Sequence, residues 1–293
     1  MTTFHNTKPC LFITGGNGQL ASAIKNHAFS QNFNLVFYSH TELDINHCLT
    51  MQLLFVKHRP DFVINTAAYT QVDQAEINQA ACLEANYKGV KQLANVCKKN
   101  NIPLLHISTD YVFDGQQQLP YTEKDMTNPL QFYGHSKYMG EEAIRQTCDY
   151  YIILRVSGIF SEFGNNFVKT ILRLIKEKPT LTIVADQFTC PTYAGDIATA
   201  IFKLVNHLSS TADTLHFCTG PSISWFEFTK EILRHIPNNI NLQTINTCDY
   251  PTLAKRPLYS VLNCEKIKNI YHIAPPEWLI GLKQTILQLS KEK

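Results

Sequence analysis

The chain has 293 residues, of which 44% are hydrophobic and 17% are charged, so it can bury a large core and is not expected to be disordered. Its formal net charge of +2 is too small to indicate binding to nucleic acid or to a membrane surface. The nine cysteines are odd in number and include no Cys-x-x-Cys pair, which predicts reduced thiols in the cytoplasm rather than disulfides or a zinc site.

The chain begins with a polar segment over residues 1–10, so no secretory signal is expected, and no apolar run reaches the roughly 18 residues of a membrane span. A strand at 10–13 is followed by a glycine turn and by an amphipathic helix that starts near Leu20. Gly15, Gly18 and Ala21 form a G-x-x-G-x-x-A pattern. Glycines here let the backbone approach a pyrophosphate at the helix N-terminus. The pattern favours a dinucleotide site over an ordinary glycine loop.

The second predicted strand, 33–38, ends at Ser39 and His40. Sites that select NAD commonly place an aspartate or glutamate at this point, where it bonds the ribose 2′-hydroxyl. The absence of a carboxylate at these two positions favours NADPH weakly. His40 could contact the 2′-phosphate, although a solvated loop histidine fits the pattern equally well.

The next two predicted strands end in residues suited to a ligand site. Strand 61–65 is followed by small residues that include Ala67 and Ala68, which would let a cofactor pass close to the backbone, although tight packing explains them equally well. Strand 102–107 ends in Ser108-Thr109-Asp110, whose hydroxyls could orient a substrate carbonyl. Alone, that tripeptide is more often a turn or a helix cap.

Tyr133 and Lys137 lie four residues apart in a helix predicted shortly after Pro129, so they share one face. An ammonium near a phenol favours the phenolate and is expected to lower the pKa of Tyr133. Such a tyrosine can exchange a proton with a carbonyl oxygen near neutral pH. Alone, the motif is weak, because a solvated lysine one turn after a packed tyrosine gives the same spacing.

The alternation of strands and helices predicts an α/β protein with a doubly wound parallel sheet of the Rossmann type. After residue 211 the elements become shorter and prolines more frequent, which indicates a smaller C-terminal α/β lobe. We expect a dinucleotide-binding domain over 1–157 and 186–212. The substrate-binding lobe would comprise 158–185 and 213–293, with a ligand cleft between the two parts.

Taken together, these motifs resemble the extended short-chain dehydrogenase/reductase family, and within it the reductases of nucleotide-linked 4-keto-6-deoxy sugars. The resemblance covers nearly the whole chain after residue 10. The matching segments are 15–21, 65–73, 108–113, 133–137, 164–168, 186–193 and 256–263. Each is weak alone, but their order and spacing together are specific.

The resemblance implies that NADPH or NADH reduces the C4 ketone of such a sugar nucleotide, with a thymidine diphosphate sugar expected. The implied catalytic residues are Thr109, Tyr133 and Lys137. The expected cofactor-binding residues are Gly15, Gly18, Gln19, Leu20, Ser39, His40, Asp44, Ile45, Ala67, Ala68, Tyr69, Tyr133 and Lys137. The expected substrate contacts are Thr70, Val72, Thr109, Asp110, Tyr111, Gly158, Asn166, Gln187 and Arg256, with Arg256 assigned to the substrate pyrophosphate. Because family members can dimerise, a homodimer is one expected assembly, and no metal site is predicted.

The chain departs from the family at Gly158. The family usually has Arg-Thr-Ser-Trp where this chain has Arg-Val-Ser-Gly over 155–158. The resemblance implies that the missing tryptophan would have packed over the bound sugar nucleotide. Its loss bears on the identity of the nucleotide sugar rather than on the hydride chemistry.

Two other functions share the same motifs. A non-catalytic NADP-binding subunit, such as the regulatory subunit of methionine adenosyltransferase, keeps much of the tyrosine–lysine motif. The segments 165–167 and 186–187 belong to substrate handling in the family and favour an enzyme. A sugar-nucleotide epimerase or dehydratase has the same fold, but the dehydratase acid–base pair is incomplete here because Tyr111 follows Asp110.

Overall fold

A computed structural model describes residues 8–291. The strands of this part are β1 Cys10–Thr14, β2 Asn34–Tyr38, β3 Phe62–Asn65, β4 Leu104–Thr109, β5 Tyr151–Val156, β6 Ile159–Phe160, β7 Thr180–Val184, β8 Phe188–Thr189, β9 Thr192–Tyr193, β10 Ala212–Phe217, β11 Ile223–Ser224 and β12 Asn241–Ile245. The α-helices are α1 Gln19–Asn26, α2 Cys48–His58, α3 Val72–Ile77, α4 Gln79–Leu83, α5 Gly89–Lys99, α6 Phe132–Thr147, α7 Phe167–Glu177, α8 Ala194–Leu204, α9 Trp225–Arg234, α10 Glu265–Tyr271 and α11 Trp278–Lys291. A π-helical turn, Glu84–Lys88, joins α4 to α5.

The central sheet has the strand order β2-β1-β3-β4-β5-β10, and every neighbouring pair is parallel. All five residues of β1 are buried, as a strand covered by helices on both faces requires. The order reverses between β1 and β3, and ligands of such sheets bind beyond the carboxyl ends of the strands at this point. The predicted doubly wound α/β sheet is therefore confirmed.

Helices cover both faces of the sheet. One buried cluster packs α1 and α8 against the strands, with Leu20 and Ile201 among its members. The opposite cluster packs α2 and α5 against the sheet through residues such as Met51 and Leu93. These two layers fix the strand ends, and the loops at the carboxyl edge carry the candidate site.

A further buried cluster lies outside the sheet layers. It joins β6, α7, β7, α9 and α11 through residues that include Phe160, Val168, Phe228 and Trp278. Beside it, β7 and β12 form a parallel pair. This cluster supports the predicted smaller lobe, although the division of the chain into two lobes stays a prediction.

The carboxyl-terminal part also contributes to the central sheet. The sequence-based division assigned residues from 213 onward to the substrate lobe, whereas β10 pairs with β5 along its whole length. The sequence pattern did not indicate this because the first half of β10 is exposed or half-buried, as an edge strand permits. Ile267 of α10 packs into the cluster beneath the sheet, so this helix also returns to the first part. Among the described helices, none is long and apolar enough to cross a membrane.

Candidate active site

The glycine turn after β1 adopts a conformation that requires glycine. Gly15 has φ of 70°, and a Cβ at this position would lie 2.7 Å from the backbone nitrogen of Ala67. Gly18 precedes α1 and provides no side-chain cap, so backbone N–H groups of the first helical turn point outward. This combination of a close backbone approach and an uncapped helix start suits a pyrophosphate. Leu20 places its side chain in the core and leaves only its backbone at the turn.

The end of β2 differs from the sequence-based interpretation. Ser39 is buried and His40 is exposed, but a carboxylate does lie here, because Glu42 folds back onto the strand end. Its Oε2 accepts hydrogen bonds from the backbone nitrogen of Ser39 at 2.8 Å and from the Ser39 hydroxyl at 2.6 Å. The sequence-based interpretation considered only the two residues directly after the strand, so it did not include Glu42.

The backbone beyond β3 is held by amide side chains. Asn86, in the π-helical turn, bonds both backbone groups of Tyr69, accepting from its nitrogen at 2.8 Å and donating to its oxygen at 3.0 Å. It also donates to the Ser136 hydroxyl of α6 at 2.9 Å. Ala67 and Ala68 therefore occupy a segment that is fixed between β3 and α6, while Thr70 is exposed beyond it.

Helix α6 places Tyr133 and Lys137 at the carboxyl end of β4. The Lys137 ammonium is 2% exposed, and its Nζ donates to the carbonyl oxygen of Ile107 at 2.6 Å. The Nζ also lies 3.3 Å from the Nε2 of His106. Burial lowers the pKa of Lys137 to about 8, against the opposing effect of Glu141.

Tyr133 is half-buried and lies beside Thr109 and the ring of Tyr111, with 6.2 Å between the two ring centroids. Burial raises the pKa of Tyr133, and the Thr109 hydroxyl opposes this shift. The expected lowering by Lys137 is wrong in direction, because desolvation of the phenol dominates and the lysine nitrogen is directed to the Ile107 carbonyl. The phenol therefore carries its proton at neutral pH.

A buried carboxyl adjoins this pair. Asp110 is 4% exposed and accepts hydrogen bonds from the hydroxyls of Ser157 at 2.9 Å and Thr109 at 3.1 Å. Burial raises its pKa to about 6, although these hydroxyls and that of Ser260 oppose the shift. Tyr111, the next residue, also has a pKa raised by burial. At neutral pH the phenols of Tyr111 and Tyr133 therefore keep their protons, whereas Asp110 gains one only as the pH falls through about 6.

An ionic cluster anchors the other end of α6. Glu141 is fully buried, and its carboxylate accepts from Nε and Nη2 of Arg155, at 2.9 and 2.7 Å, and from Nη2 of Arg145 at 2.7 Å. The Ser108 hydroxyl donates to the same carboxylate at 2.5 Å. Burial alone would raise the pKa of Glu141, but the guanidinium groups outweigh it and lower the pKa to about 2. The cluster fixes α6 against β4 and β5.

A groove of about 810 Å³ is lined by the loop 114–118, by Leu130, Asp186 and Phe188, and by residues of the segment 255–259. Thr109, Tyr133 and Lys137 do not line it, but Arg256 on its wall is close enough to Tyr111 to lower the pKa of that phenol against the effect of burial. Arg256 forms part of its wall and makes a bidentate pair with Asp73, at 2.9 and 2.7 Å. Its guanidinium is therefore held in place at the groove. Within the described residues, no group of three or more metal-ligating side chains is found.

Comparison with known proteins identifies the family. A family model described as the RmlD substrate binding domain matches residues 9–291. The dTDP-4-dehydrorhamnose reductase of Aggregatibacter actinomycetemcomitans is 39% identical over 285 residues, covering 93% of this chain and 97% of the relative. The chain belongs to the dTDP-4-dehydrorhamnose reductase family. The family assigned from the sequence motifs is therefore confirmed.

Other members of the dTDP-4-dehydrorhamnose reductase family support the assignment. The enzyme of that name from Sinorhizobium fredii is 36% identical over 291 residues, covering 96% of this chain and 98% of the relative. The crystal structure of the Bacillus anthracis enzyme in complex with NADP is 34% identical and superposes with a TM-score of 0.92, covering 96% of this chain and 100% of that chain. The likeness therefore extends over both the sheet and the smaller cluster.

Two expected substrate contacts of the reductase family have protein partners here. Asn166 caps α7 by accepting from the Lys169 backbone nitrogen at 3.2 Å, and its amide donates to Ser161 and to the Gln19 side chain at 3.0 Å. Gln187 is 5% exposed and donates to the hydroxyl of Thr247 at 3.1 Å. These side chains are engaged in holding loops together, so their contact with substrate stays a prediction.

Gly158, where the sequence departs from the reductase family, lies in a turn with φ of 50°. A Cβ there would approach the Cys190 carbonyl oxygen to 3.2 Å. The left-handed backbone favours glycine at this turn. A large side chain at 158 would therefore require the turn to adjust.

The two residues expected at the adenine differ in exposure. Asp44 is half-buried and accepts two bonds from Asn46, each at 2.9 Å. Ile45 is buried and packs against Gly89 of α5, where a Cβ would approach its Cγ1 to 2.6 Å. Ile45 is therefore part of the buried core, and little of its side chain is free to contact an adenine ring.

Sequence reasoning missed four buried polar residues that organise this site, namely Asn65, Asn86, His106 and Glu141. His106 interrupts the apolar run of β4 and Asn65 ends that of β3, and these polar residues in buried strands were the available signal. Asn86 and Glu141 lie in helices where polar residues are common, so nothing in the sequence marked them.

Proposed function

We propose that this protein catalyses the NADPH-dependent reduction of the C4 ketone of dTDP-4-dehydrorhamnose, giving dTDP-L-rhamnose. The main supporting observation is the convergence of Tyr133, Lys137 and Thr109 at the carboxyl edge of the sheet, beside the glycine turn. The groove at Arg256 would supply space for the nucleotide part of the substrate. Family membership favours this function over the regulatory-subunit and epimerase alternatives.

Several features fit a dinucleotide cofactor. The turn at Gly15 and Gly18 would hold the pyrophosphate, and the segment around Ala67 would border the nicotinamide side. When bound, NADPH supplies the hydride. Lys137 would bond the nicotinamide ribose and Tyr133 would face the substrate carbonyl. NADH is the other cofactor to be compared, because Glu42 lies at the end of β2 where the two cofactors differ.

The chain's own residues would manage the proton. As negative charge develops on the C4 oxygen, the Tyr133 phenol donates its proton to that oxygen. The raised pKa of Tyr133 keeps the phenol protonated before each turnover. Thr109 would hold the same oxygen through its hydroxyl, and half-burial of the site limits competing water.

The groove would receive the nucleotide part of the substrate. Arg256 lies on its wall and can offer guanidinium hydrogens to a pyrophosphate. Gly158 has no side chain where the family usually has a tryptophan, which bears on the choice of sugar. A cytoplasmic location and a homodimer remain proposals, the first resting on nine cysteines that are all free.

The test compares Tyr133→Phe with Tyr150→Phe, a control that removes an exposed phenol hydroxyl at the amino end of β5, on the edge of the sheet opposite to the site. Purified proteins are mixed with a panel of nucleotide-linked 4-keto sugars and with NADPH or NADH, and nicotinamide absorbance is followed. We expect Tyr133→Phe to lower kcat roughly 100- to 10,000-fold while NADPH binding persists. Full activity of Tyr133→Phe, or an inactive wild type on every 4-keto sugar nucleotide, would contradict the proposal.

A further inference from the structure

A row of four buried polar side chains runs across the sheet to the candidate catalytic lysine. It joins Thr14 at the end of β1, Asn65 at the end of β3, His106 in β4 and Lys137 in α6. These residues are respectively 1%, 0%, 0% and 2% exposed. The successive contacts measure 2.6 Å from Thr14 Oγ1 to Asn65 Oδ1, 2.8 Å from Asn65 Nδ2 to His106 Nδ1 and 3.3 Å from His106 Nε2 to Lys137 Nζ.

The orientation of the Asn65 amide follows from a backbone group. The Ala67 backbone N–H can only donate, and it lies 3.1 Å from the Asn65 atom assigned as Oδ1. That atom must therefore be the carbonyl oxygen. The amide nitrogen then faces His106 and donates to its Nδ1.

This donor fixes the tautomer of the imidazole. A nitrogen that accepts a hydrogen bond carries no proton, so neutral His106 has its proton on Nε2. Burial lowers the pKa of His106 well below its usual range, with Lys137 acting in the same direction, so the ring is neutral. The Nε2–H group therefore points at the Lys137 nitrogen.

The contact distinguishes the two protonation states of Lys137. An ammonium has only donors and meets another N–H at this position, whereas a neutral amine can accept from Nε2–H. In both states Nζ can donate to the Ile107 carbonyl oxygen, 2.6 Å away. The arrangement holds the nitrogen in one place and disfavours its charged form.

We propose that Asn65 and His106 are positioning residues for the reduction described above, which lock the Nε2–H tautomer against Lys137 and thereby control when this lysine gains its proton. The inference rests on the proposed function for its catalytic meaning. Its structural content concerns only the tautomer of His106 and the protonation of Lys137.

Other groups around the lysine act in known directions. Glu141, on the same helix, and Cys82, on α4, raise the pKa of Lys137, whereas burial lowers it and dominates. The Glu141 carboxylate is already bonded to Arg155 and Arg145, which limits its influence. Two groups on β4 contact Nζ, the Ile107 carbonyl oxygen and the His106 ring, and of these His106 is the titratable one.

The sharpest variant is Asn65→Asp, which replaces the amide donor by an acceptor of the same shape. The new carboxylate accepts from the Ala67 N–H and the Thr14 hydroxyl and requires a proton on His106 Nδ1. The tautomer then reverses, and Nε2 accepts from the Lys137 ammonium. We expect the pKa of Lys137 to rise by about one unit or more.

Two spectra of the protein without added ligand measure this directly. Nitrogen-15 NMR of the histidine rings should show His106 as the Nε2–H tautomer in the wild type and as Nδ1–H in Asn65→Asp. Carbon-13 NMR of the lysine side chains, with Lys137 assigned through Lys137→Arg, follows its titration. In the presence of substrate, the alkaline limb of the kcat profile should move with this titration while KM changes little.

Asn65→Asp also adds a negative charge, and its effect is measured separately by making the same substitution in His106→Gln, which has no imidazole tautomer to reverse. The Lys137 shift should there be clearly smaller. An Nδ1–H tautomer in the wild type, an unmoved Lys137 titration in Asn65→Asp, or equal shifts in both backgrounds would overturn the inference. The wild-type spectrum decides even if the variants fold poorly. An inactive wild type would refute the proposed function and leave both spectra unaffected, so the two failures can be distinguished.

Discussion

Asp110 is a buried carboxyl beside Thr109, and its burial lowers the stability of the fold when the carboxyl is ionised. Burial raises its pKa from 3.8 to about 6 in the folded protein. The folded state therefore holds a proton that the unfolded chain has already lost between these two values. Stability falls as the pH rises through this window and stays lower above it, by about 3 kcal/mol for a shift of about two units.

The variant Asp110→Asn removes this charge while keeping the shape of the side chain. We expect the free energy of unfolding at pH 7.5 to increase by up to about 3 kcal/mol, with the gain disappearing below about pH 4. Urea denaturation at several pH values measures both effects. As a control, Asp114→Asn should lower stability at pH 7.5, because hydrogen bonds from Tyr121 and Gln116 outweigh burial and lower the Asp114 pKa. A loss of stability in Asp110→Asn at pH 7.5 would contradict this account.

At the residue scale, the sequence predicted what depends on local spacing. Tyr133 and Lys137 could be placed on one helix face because their separation is four residues. The direction of the Tyr133 pKa shift could not be predicted, because it depends on burial by segments distant in the sequence. Glu42 was missed for a different reason, since a side chain can fold back three residues onto a strand end.

Helix α6 can reach the site only because two glycines let it pack closely. A Cβ at Gly134 would lie 2.0 Å from the carbonyl oxygen of Tyr111, and a Cβ at Gly140 would lie 2.3 Å from that of Asn86. Both obstacles are backbone atoms that cannot move without displacing the turn after β4 or the π-helical turn. The close contact brings Tyr133 within reach of Thr109.

The variant Gly134→Ala tests this packing, because the close contact decides whether the free energy of unfolding rises or falls. Alanine in an unobstructed helix stabilises it by up to about 1 kcal/mol relative to glycine. Here we expect destabilisation of about 1–3 kcal/mol and a lower kcat, because the helix must move away from Tyr111. Thermal unfolding and steady-state kinetics measure the two effects. Gly220→Ala is the control, since no atom lies within 4 Å of its added Cβ. A more stable, fully active Gly134→Ala would show that the contact is not needed.

At the scale of elements, buried strands were predictable and peripheral ones were not. The strands that end at Thr14 and Asn65 are apolar runs, as burial on both faces requires. β10 and β12 carry exposed polar residues, so neither strand shows the continuous apolar run that predicts a buried strand. A π-helical turn at Glu84–Lys88 joins α4 to α5, and this turn places Asn86 against Tyr69.

Across the whole molecule, one ion pair links distant parts of the chain at the groove. Asp73 belongs to α3 and Arg256 to a segment 183 residues later. Asp73 also accepts from the backbone nitrogen of Ala254 at 3.1 Å, and Arg256 donates to the oxygen of the same residue at 3.0 Å. Three of these four bonds join Asp73 to the segment 254–256, and the fourth fixes Arg256 within that segment. Together they form a clasp that holds the carboxyl-terminal segment over the first part of the chain. Such a site could not be predicted from the sequence, because neither residue's neighbours indicate its partner.

The clasp makes a prediction about substrate affinity. In Asp73→Asn the bidentate pair is lost and the guanidinium of Arg256 becomes mobile, so its contact with a substrate diphosphate weakens. We expect KM for the sugar nucleotide to rise about fivefold, equivalent to ~1 kcal/mol, with kcat nearly unchanged because the proton-donating residues are untouched. Because the pair is partly exposed, the free energy of unfolding should fall by less than about 1 kcal/mol. Glu231→Gln, which removes the partner of exposed Arg234 on α9, serves as the matched control and should leave KM unchanged. An unchanged or lower KM in Asp73→Asn would show that the carboxylate does not position Arg256 for the substrate.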